Sequence, residues 1–434
     1  MTGTKASYAG SVPNHVETQS RDEVVVPMAG TPTIGSSFDA RHNSLNFLRL
    51  LLAIAVVFSH ALTIGNFGTE DVLGKTTLGT VAVYGFFGLS GYLITASASR
   101  NNVGRFLWQR FLRIYPAFWV CLVVTAFVFG TIVWWHANPQ LANRCGFACY
   151  RNEPGGPETF VLHNLSLWIP QSTIAHTLPL GYFRPVWNGS LWTLLFECAC
   201  YVMVATLSVF GLLRRRLAVL ILAGSVWSIE ILMTSVPSLN QHFSPSHHWY
   251  IMKMMTFVPV FLGGALIYLY REKVPDAGVL AGVCTLVFLS GLVLPLGNSV
   301  PTFRLTSIDL TSPLLIYPLV WLGIHLPFQK VGARNDYSYG IYIYAYPVQQ
   351  LLVVWGLASW GYWPYAMLSS VAVLPMAMAS WWVVEKHVLR WKTLGTTGPR
   401  ARSVGGEPEQ VPRHAGGPVE APADVYGVRS PGGP

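Results

Sequence analysis

Charge is scarce in this sequence. Of its 434 residues only 11% are Asp, Glu, Lys or Arg, whereas 52% are hydrophobic. Soluble domains carry about 25% charge, so the composition points away from a water-soluble globule. Cysteine is sparse too, with six in all. Cys121, Cys198, Cys200 and Cys284 fall inside apolar runs, where a thiol behaves as a small hydrophobe. Cys145 and Cys149 share a polar stretch. Two thiols are too few for a structural zinc site, which takes four ligands, but they suit a disulfide if that stretch faces an oxidising compartment. His247 and His248 lack a second pair that would complete a metal site, and no metal is expected. The two ends of the chain are polar as well. Residues 1–43 are rich in Gly, Ser, Thr and Pro, and residues 393–434 in Gly, Pro, Arg and Glu; both read as disordered tails.

What the chain has in abundance is apolar runs long enough to cross a hydrocarbon core of about 30 Å. Ten occur: Ser44–Thr63, Thr80–Ser97, Phe111–Trp134, Ser190–Phe210, Leu217–Ser235, Ile251–Tyr270, Ala277–Leu296, Ser307–His325, Ser338–Leu357 and Tyr362–Val388. The expected fold is an all-α polytopic membrane protein of about ten transmembrane helices, with residues 44–392 as its membrane domain. Every second connection is basic, carrying Arg100 and Arg105, then Arg214, Arg215 and Arg216, then Arg271 and Lys273, then Lys330 and Arg334. Positive-inside bias therefore places both termini in the cytoplasm, and an even helix count agrees. The same rule accounts for the net charge of +9 without nucleic acid. The connection of about 135–188 is then extracytoplasmic, and its length marks it as a lid or binding loop.

Ionisable residues within such runs are costly and mark function by default. Arg49 and His60 lie eleven residues apart in the first run, so they share one face and stand about 16 Å apart along the axis. Arg49 alternatively snorkels to the interface, and His60 alternatively makes an interhelical hydrogen bond. Arg110 and Arg113 share a face at i,i+3 and form a pair suited to phosphate, or else serve as positive-inside anchors. Glu197 lies about 10 Å deep in the fourth run, where a carboxylate could orient His60 or pair with an arginine. Gly85, Gly88 and Gly91, three apart, suit close helix packing in lipid. Asp336 and Ser338 read as helix caps, and Glu385 as a surface charge.

These segments resemble, in order, the motifs of the membrane-bound acyltransferase-3 family, which contains bacterial O-acetyltransferases of polysaccharides, lipopolysaccharide, nodulation factors and macrolides. They are L-R-L-L-L-A followed by His60, F-F-G-L-S-G-Y-L-I-T, R-F-L-R-I-Y-P, N-G-S-L-W-T-L-L-F-E and Y-S-Y-G-I-Y-I-Y-A-Y-P. The similarity runs from about Ser44 to Arg390. It implies that His60 and Arg49 are the family's essential pair, with Arg110 and Arg113 as its second arginine motif and Glu197 as its acidic residue. It also implies a multi-pass protein of the inner (plasma) membrane that takes acetyl from cytoplasmic acetyl-CoA, or another acyl-CoA, to a hydroxyl of a carbohydrate or glycolipid. On this reading Arg49, Arg110 and Arg113 hold the CoA phosphates. His60 is general base or transient acyl carrier, with Glu197 as its partner. The competing expectation is a transporter or flippase of a glycolipid or small solute, which buried Arg, His and Glu would also suit.

Overall fold

In hydrocarbon a chain must satisfy its own backbone N–H and C=O groups, and a helix does so within one segment. The computed structural model describes residues 31–72, 76–178, 185–235, 245–293 and 307–393. Residues 1–30 and 394–434 of the two expected tails lie outside the described residues, as do residues 179–184 of the long connection and the side chains of His247 and His248. The described residues up to Lys392 cluster as one unit.

The helices in chain order are α1 (Leu45–Ile64), α2 (Leu78–Ala98), α3 (Val103–Val124), α4 (Gly130–Ala137), α5 (Thr193–Val209), α6 (Arg216–Ser235), α7 (Pro245–Leu269), α8 (Gly278–Val293), α9 (Ile316–His325), α10 (Ser338–Val354) and α11 (Tyr362–Ala379). A π-helical turn, Thr125–Phe129, joins α3 to α4 as one long rod. A second, Ser380–Glu385, extends α11. Among the described residues, six helical stretches are long and apolar enough to cross a membrane: Leu45–Ile64, Leu78–Ala98, Val103–Ala137, Arg216–Met233, Trp249–Leu269 and Tyr362–Lys392. Thr193–Val209, Gly278–Val293 and Ser312–His325 are apolar but shorter.

Some differences from the expected spans have local causes. The eighth run is broken into Ser307–Thr311, a 3-10 turn at Ser312–Leu315 and then α9. Pro313 stands in that turn, and proline supplies no helical N–H. The fourth run becomes helical only at Thr193, and Asn188 just upstream of it is tied to α10. The ring of Pro347 inside α10 cannot donate to the Ile343 carbonyl four residues back. Asn188 Nδ2 at 2.7 Å and the Cys121 thiol at 3.3 Å bond that carbonyl in its place.

Two helix starts are set by side-chain caps. Thr77 Oγ1 accepts from Thr80 N at 2.9 Å ahead of α2, and Asn102 Oδ1 accepts from Arg105 N at 2.8 Å ahead of α3. The glycine stripe of α2 packs as expected. Its most extensive partner is α7, and the two backbones nearly touch. A Cβ on Gly91 would lie 1.9 Å from the Phe261 carbonyl oxygen, and one on Gly264 would lie 2.0 Å from that of Gly88. Helix α1 packs against α2, α9, α10 and α11.

Two connections shape the site. After α1 the chain reverses, and Asp71–Val72 pairs antiparallel with Thr76–Thr77, with Asp71 opposite Thr77 and Val72 opposite Thr76. The long connection forms three short helices, Pro139–Cys145, Phe147–Asn152 and Pro157–His163. Cys145 and Cys149 are joined in a disulfide within it. The buried Tyr150 anchors this region by donating to the Ala126 carbonyl at 2.6 Å, and Trp187 Nε1 donates to Thr177 Oγ1 at 2.8 Å.

Candidate active site

His60 stands on the last turns of α1, and the reversal after that helix brings Glu70 back against it. His60 Nδ1 lies 3.2 Å from Glu70 Oε1. Ser59 Oγ donates to Glu70 Oε2 at 3.1 Å, and Thr63 Oγ1 donates to Oε1. The carboxylate is thus gripped by three residues of a single helix turn. The His60 and Glu70 side chains are only 19% and 17% exposed. Burial would raise the Glu70 pKa, but the His60 hydrogen bond and charge, helped by Thr63 and Ser59, outweigh it and hold the carboxyl below its ordinary value. An ionised Glu70 accepts only, so Nδ1 carries the shared proton and Nε2 is left as the basic nitrogen.

His60 and Glu70 line a cavity of about 510 Å³, a size typical of small-molecule sites. Its wall is rich in hydroxyls, from Thr63, Thr69, Thr77, Thr80, Ser190 and Thr193. Trp192 and Trp249, with ring centroids 4.9 Å apart, supply an aromatic surface. The ring of Tyr346 meets that of His60 edge to face at 5.2 Å. Ser190 Oγ is buried at this wall and has no hydrogen-bond partner among the described residues. A buried hydroxyl left unpaired is costly unless something else satisfies it.

The Arg49 end of α1 holds the other charges. Arg49 Nη1 lies 3.0 Å from Asp336 Oδ2, and Arg113 Nη2 bonds that same oxygen. Arg113 Nη1 reaches Glu385 Oε2 at 3.2 Å. Asp336 also caps α10, as its sequence position suggests, through Oδ1 to Ser338 N at 3.2 Å and Ser338 Oγ at 2.6 Å. Burial pushes the Asp336 pKa up, but the Arg49 and Arg113 charges more than offset it and hold the carboxyl well below the carboxylate range. Arg110 lies over the rings of Phe106 and Tyr201, each 5.9 Å from its guanidinium carbon. Its buried Nε has no partner among the described residues.

Three sequence expectations change here. Glu197 does not meet His60: it accepts from Tyr201 Oη and, at 3.3 Å, from Ser90 Oγ. It lines a separate small cavity of about 40 Å³ together with Arg49. Glu385 is no surface charge, being 3% exposed and paired with Arg113; the π-turn delivers it inward. Arg49 and Arg113 are not bare cations, since Asp336 bridges them. Glu70 was hidden in sequence, because it follows the first run in a polar loop. Its one signal is a carboxylate placed just beyond a histidine-bearing helix end. Among the described residues, no group of three or more His, Cys, Asp or Glu stands together as a metal site.

The residues that make up these clusters fall, but for Glu385, within the stretch matched by a family model described as an acyltransferase domain, residues 42–382. An O-acetyl transferase of Shigella phage Sf6 is 29% identical over 350 residues, covering 80% of this chain and 96% of the relative. Nodulation protein 10 of Rhizobium leguminosarum bv. viciae is 25% identical over 372 residues, covering 81% and 94%. The acyltransferase MdmB of Streptomyces mycarofaciens is 29% identical over 215 residues, covering 47% and 48%. No solved structure matches the chain.

Proposed function

The chain belongs to the acyltransferase-3 family, and from that premise we propose that it is an integral membrane O-acyltransferase carrying acetyl from cytoplasmic acetyl-CoA to a hydroxyl of a cell-surface polysaccharide or its lipid-linked precursor. Residues 44–392 form the membrane domain in this reading, lying in the inner (plasma) membrane with both tails cytoplasmic. The basic connections support that orientation. So does the Cys145–Cys149 disulfide, which belongs in an oxidising compartment on the opposite side.

The single observation that carries the chemistry is the His60–Glu70 pair at the wall of a hydroxyl-lined cavity. Glu70 holds Nδ1–H and favours the imidazolium, as the acidic member of an acyl-transfer triad does. His60 Nε2 takes the proton of the acceptor hydroxyl while its oxygen attacks the thioester carbonyl. The new C–O bond forms, the C–S bond breaks, and the proton passes from His60 to the departing CoA thiolate. Ser190 Oγ, unpaired at the same wall, is the candidate donor to the carbonyl oxygen as it gains charge. The hydroxyl lining and the Trp192–Trp249 surface suit a sugar, whose rim is polar and whose faces are apolar.

At the other end, the CoA phosphates meet Arg110 and the Arg49 nitrogens not bonded to Asp336. Arg113, with both Nη atoms paired, braces Asp336 and through it Arg49. Such a cluster also concentrates an anionic donor.

The test is acyl transfer from radiolabelled acetyl-CoA in membranes carrying the unaltered protein or His60→Ala. Label should pass to a glycan or glycolipid with the former and not with the latter, at equal amounts of inserted protein. Equal labelling by both would refute the role of His60.

A further inference from the structure

The two cavities meet at one wall. The larger holds His60, and the smaller lies against Arg49 and Glu197. Among the described residues, Val83, Thr193 and Tyr342 line both, and no other residue does. They come from α2, α5 and α10, and each is at most 8% exposed. The Thr193 and Tyr342 hydroxyls are hydrogen bonded to each other. Both also lie against the Ser190 carbonyl oxygen, Tyr342 at 3.1 Å and Thr193 at 3.2 Å. The Tyr342 ring sits edge to face on Phe86, centroids 5.8 Å apart, on the Arg49 side.

The wall is closed in this structure. The smaller cavity, at about 40 Å³ against about 510 Å³ for the larger, is well below the roughly 300 Å³ at which small-molecule sites begin. A donor bound at the arginines therefore cannot present its thioester to His60 unless these three side chains part. Two of them are latched to each other and to the Ser190 carbonyl oxygen by their hydroxyls, with the Tyr342 ring also packed on Phe86. The third, Val83, is the apolar member, and its side chain sets how much room remains beside the latch.

We propose that Val83, Thr193 and Tyr342 form the gate through which the acyl thioester passes from the Arg49 side to His60, and that Val83 sets the size of acyl group admitted. This rests on the acyl-CoA reading above. In an apolar passage one methylene changes discrimination by about 10- to 200-fold.

The experiment compares initial transfer rates from acetyl-CoA and butyryl-CoA in membranes carrying Val83→Ala, Val83→Phe and Thr193→Ser. Affinity for CoA itself is measured in parallel by calorimetry on the purified proteins. Val83→Ala should raise the butyryl-to-acetyl rate ratio about 10-fold, and Val83→Phe should lower it, with CoA affinity unchanged within about two-fold. Thr193→Ser trims one methyl from the same wall and should raise the ratio also, so the proposal stays testable if the phenylalanine variant fails to insert. A ratio unmoved by Val83→Ala and Thr193→Ser, while acetyl transfer still requires His60, would overturn the gate and leave the acyltransferase reading intact. Acetyl transfer that does not depend on His60 would overturn both.

Discussion

Glu70→Gln is the most informative single change. Glutamine keeps the size of the side chain, so the loop after α1 should hold its place. Its oxygen is left for one of the Ser59 and Thr63 hydroxyls, which bond different carboxylate oxygens, and its NH2 can donate to the other. What it removes is the negative charge on His60 Nδ1. A hydrogen bond to a charged group contributes about 1.5–3 kcal/mol. At about 1.36 kcal/mol per tenfold in rate, its loss from the transition state corresponds to roughly a 10- to 150-fold fall in kcat. The lower part of that range is favoured, because the bond is 3.2 Å long and Glu70 retains 17% exposure. A fully buried triad carboxylate loses about 10⁴ on the same amide substitution, which sets the ceiling. The KM for acetyl-CoA should stay nearly constant, since Arg49 stands about 16 Å away along α1. Steady-state transfer from labelled acetyl-CoA reads both quantities, with Glu197→Gln as the companion variant. Full kcat in Glu70→Gln beside a large loss in Glu197→Gln would refute the pairing argued here and return the carboxylate role to Glu197.

Four further outcomes follow from the same geometry. Asp336→Asn leaves Arg49 and Arg113 facing each other without their shared counter-charge, and breaking a buried pair from one side costs about 3–5 kcal/mol; thermal unfolding in detergent should fall sharply, and an unchanged midpoint would show that the bridge is idle. Gly91→Ala pushes a methyl into the Phe261 carbonyl at 1.9 Å and should destabilise by about 1–3 kcal/mol. By contrast, Gly104→Ala in α3 meets nothing within 4 Å and should be neutral or slightly stabilising, as read by fluorescence size-exclusion after heating. The folded-state pKa of Glu70 is depressed, so its contribution to stability is complete above the unfolded value of about 4.3 and is lost as pH falls through the folded one. Thermal stability should therefore drop more steeply on acidification below about pH 4 in the unaltered protein than in Glu70→Gln, and parallel curves would count against the latch.

Much of the architecture was legible from the chain alone, and for a local reason. Hydropathy and helical period act over twenty residues, so the helix positions, the shared face of Arg49 and His60 and the packing role of the α2 glycines could all be read without knowing any neighbour. The family motifs are local strings too, three within single helices and two running from just ahead of a helix into it, at Asn188 before α5 and at Tyr337 before α10. Partnership is a different matter. Arg49 and Asp336 are 287 positions apart, and Arg113 and Glu385 are 272 apart, so only the packing of α1, α3, α10 and the end of α11 decides that these charges meet. Depth along a helix suggested Glu197 for His60, but depth says nothing about which face turns which way. The short reversal after α1 brought Glu70 there instead, while α5 turned Glu197 toward Ser90 and Tyr201. The sequence by itself therefore determined which stretches are apolar enough to form the helices and how the ionisable residues are spaced along them. The tertiary structure alone decided which carboxylate serves which cation and where the two cavities touch, because those contacts depend on the relative rotation of helices that no local pattern encodes.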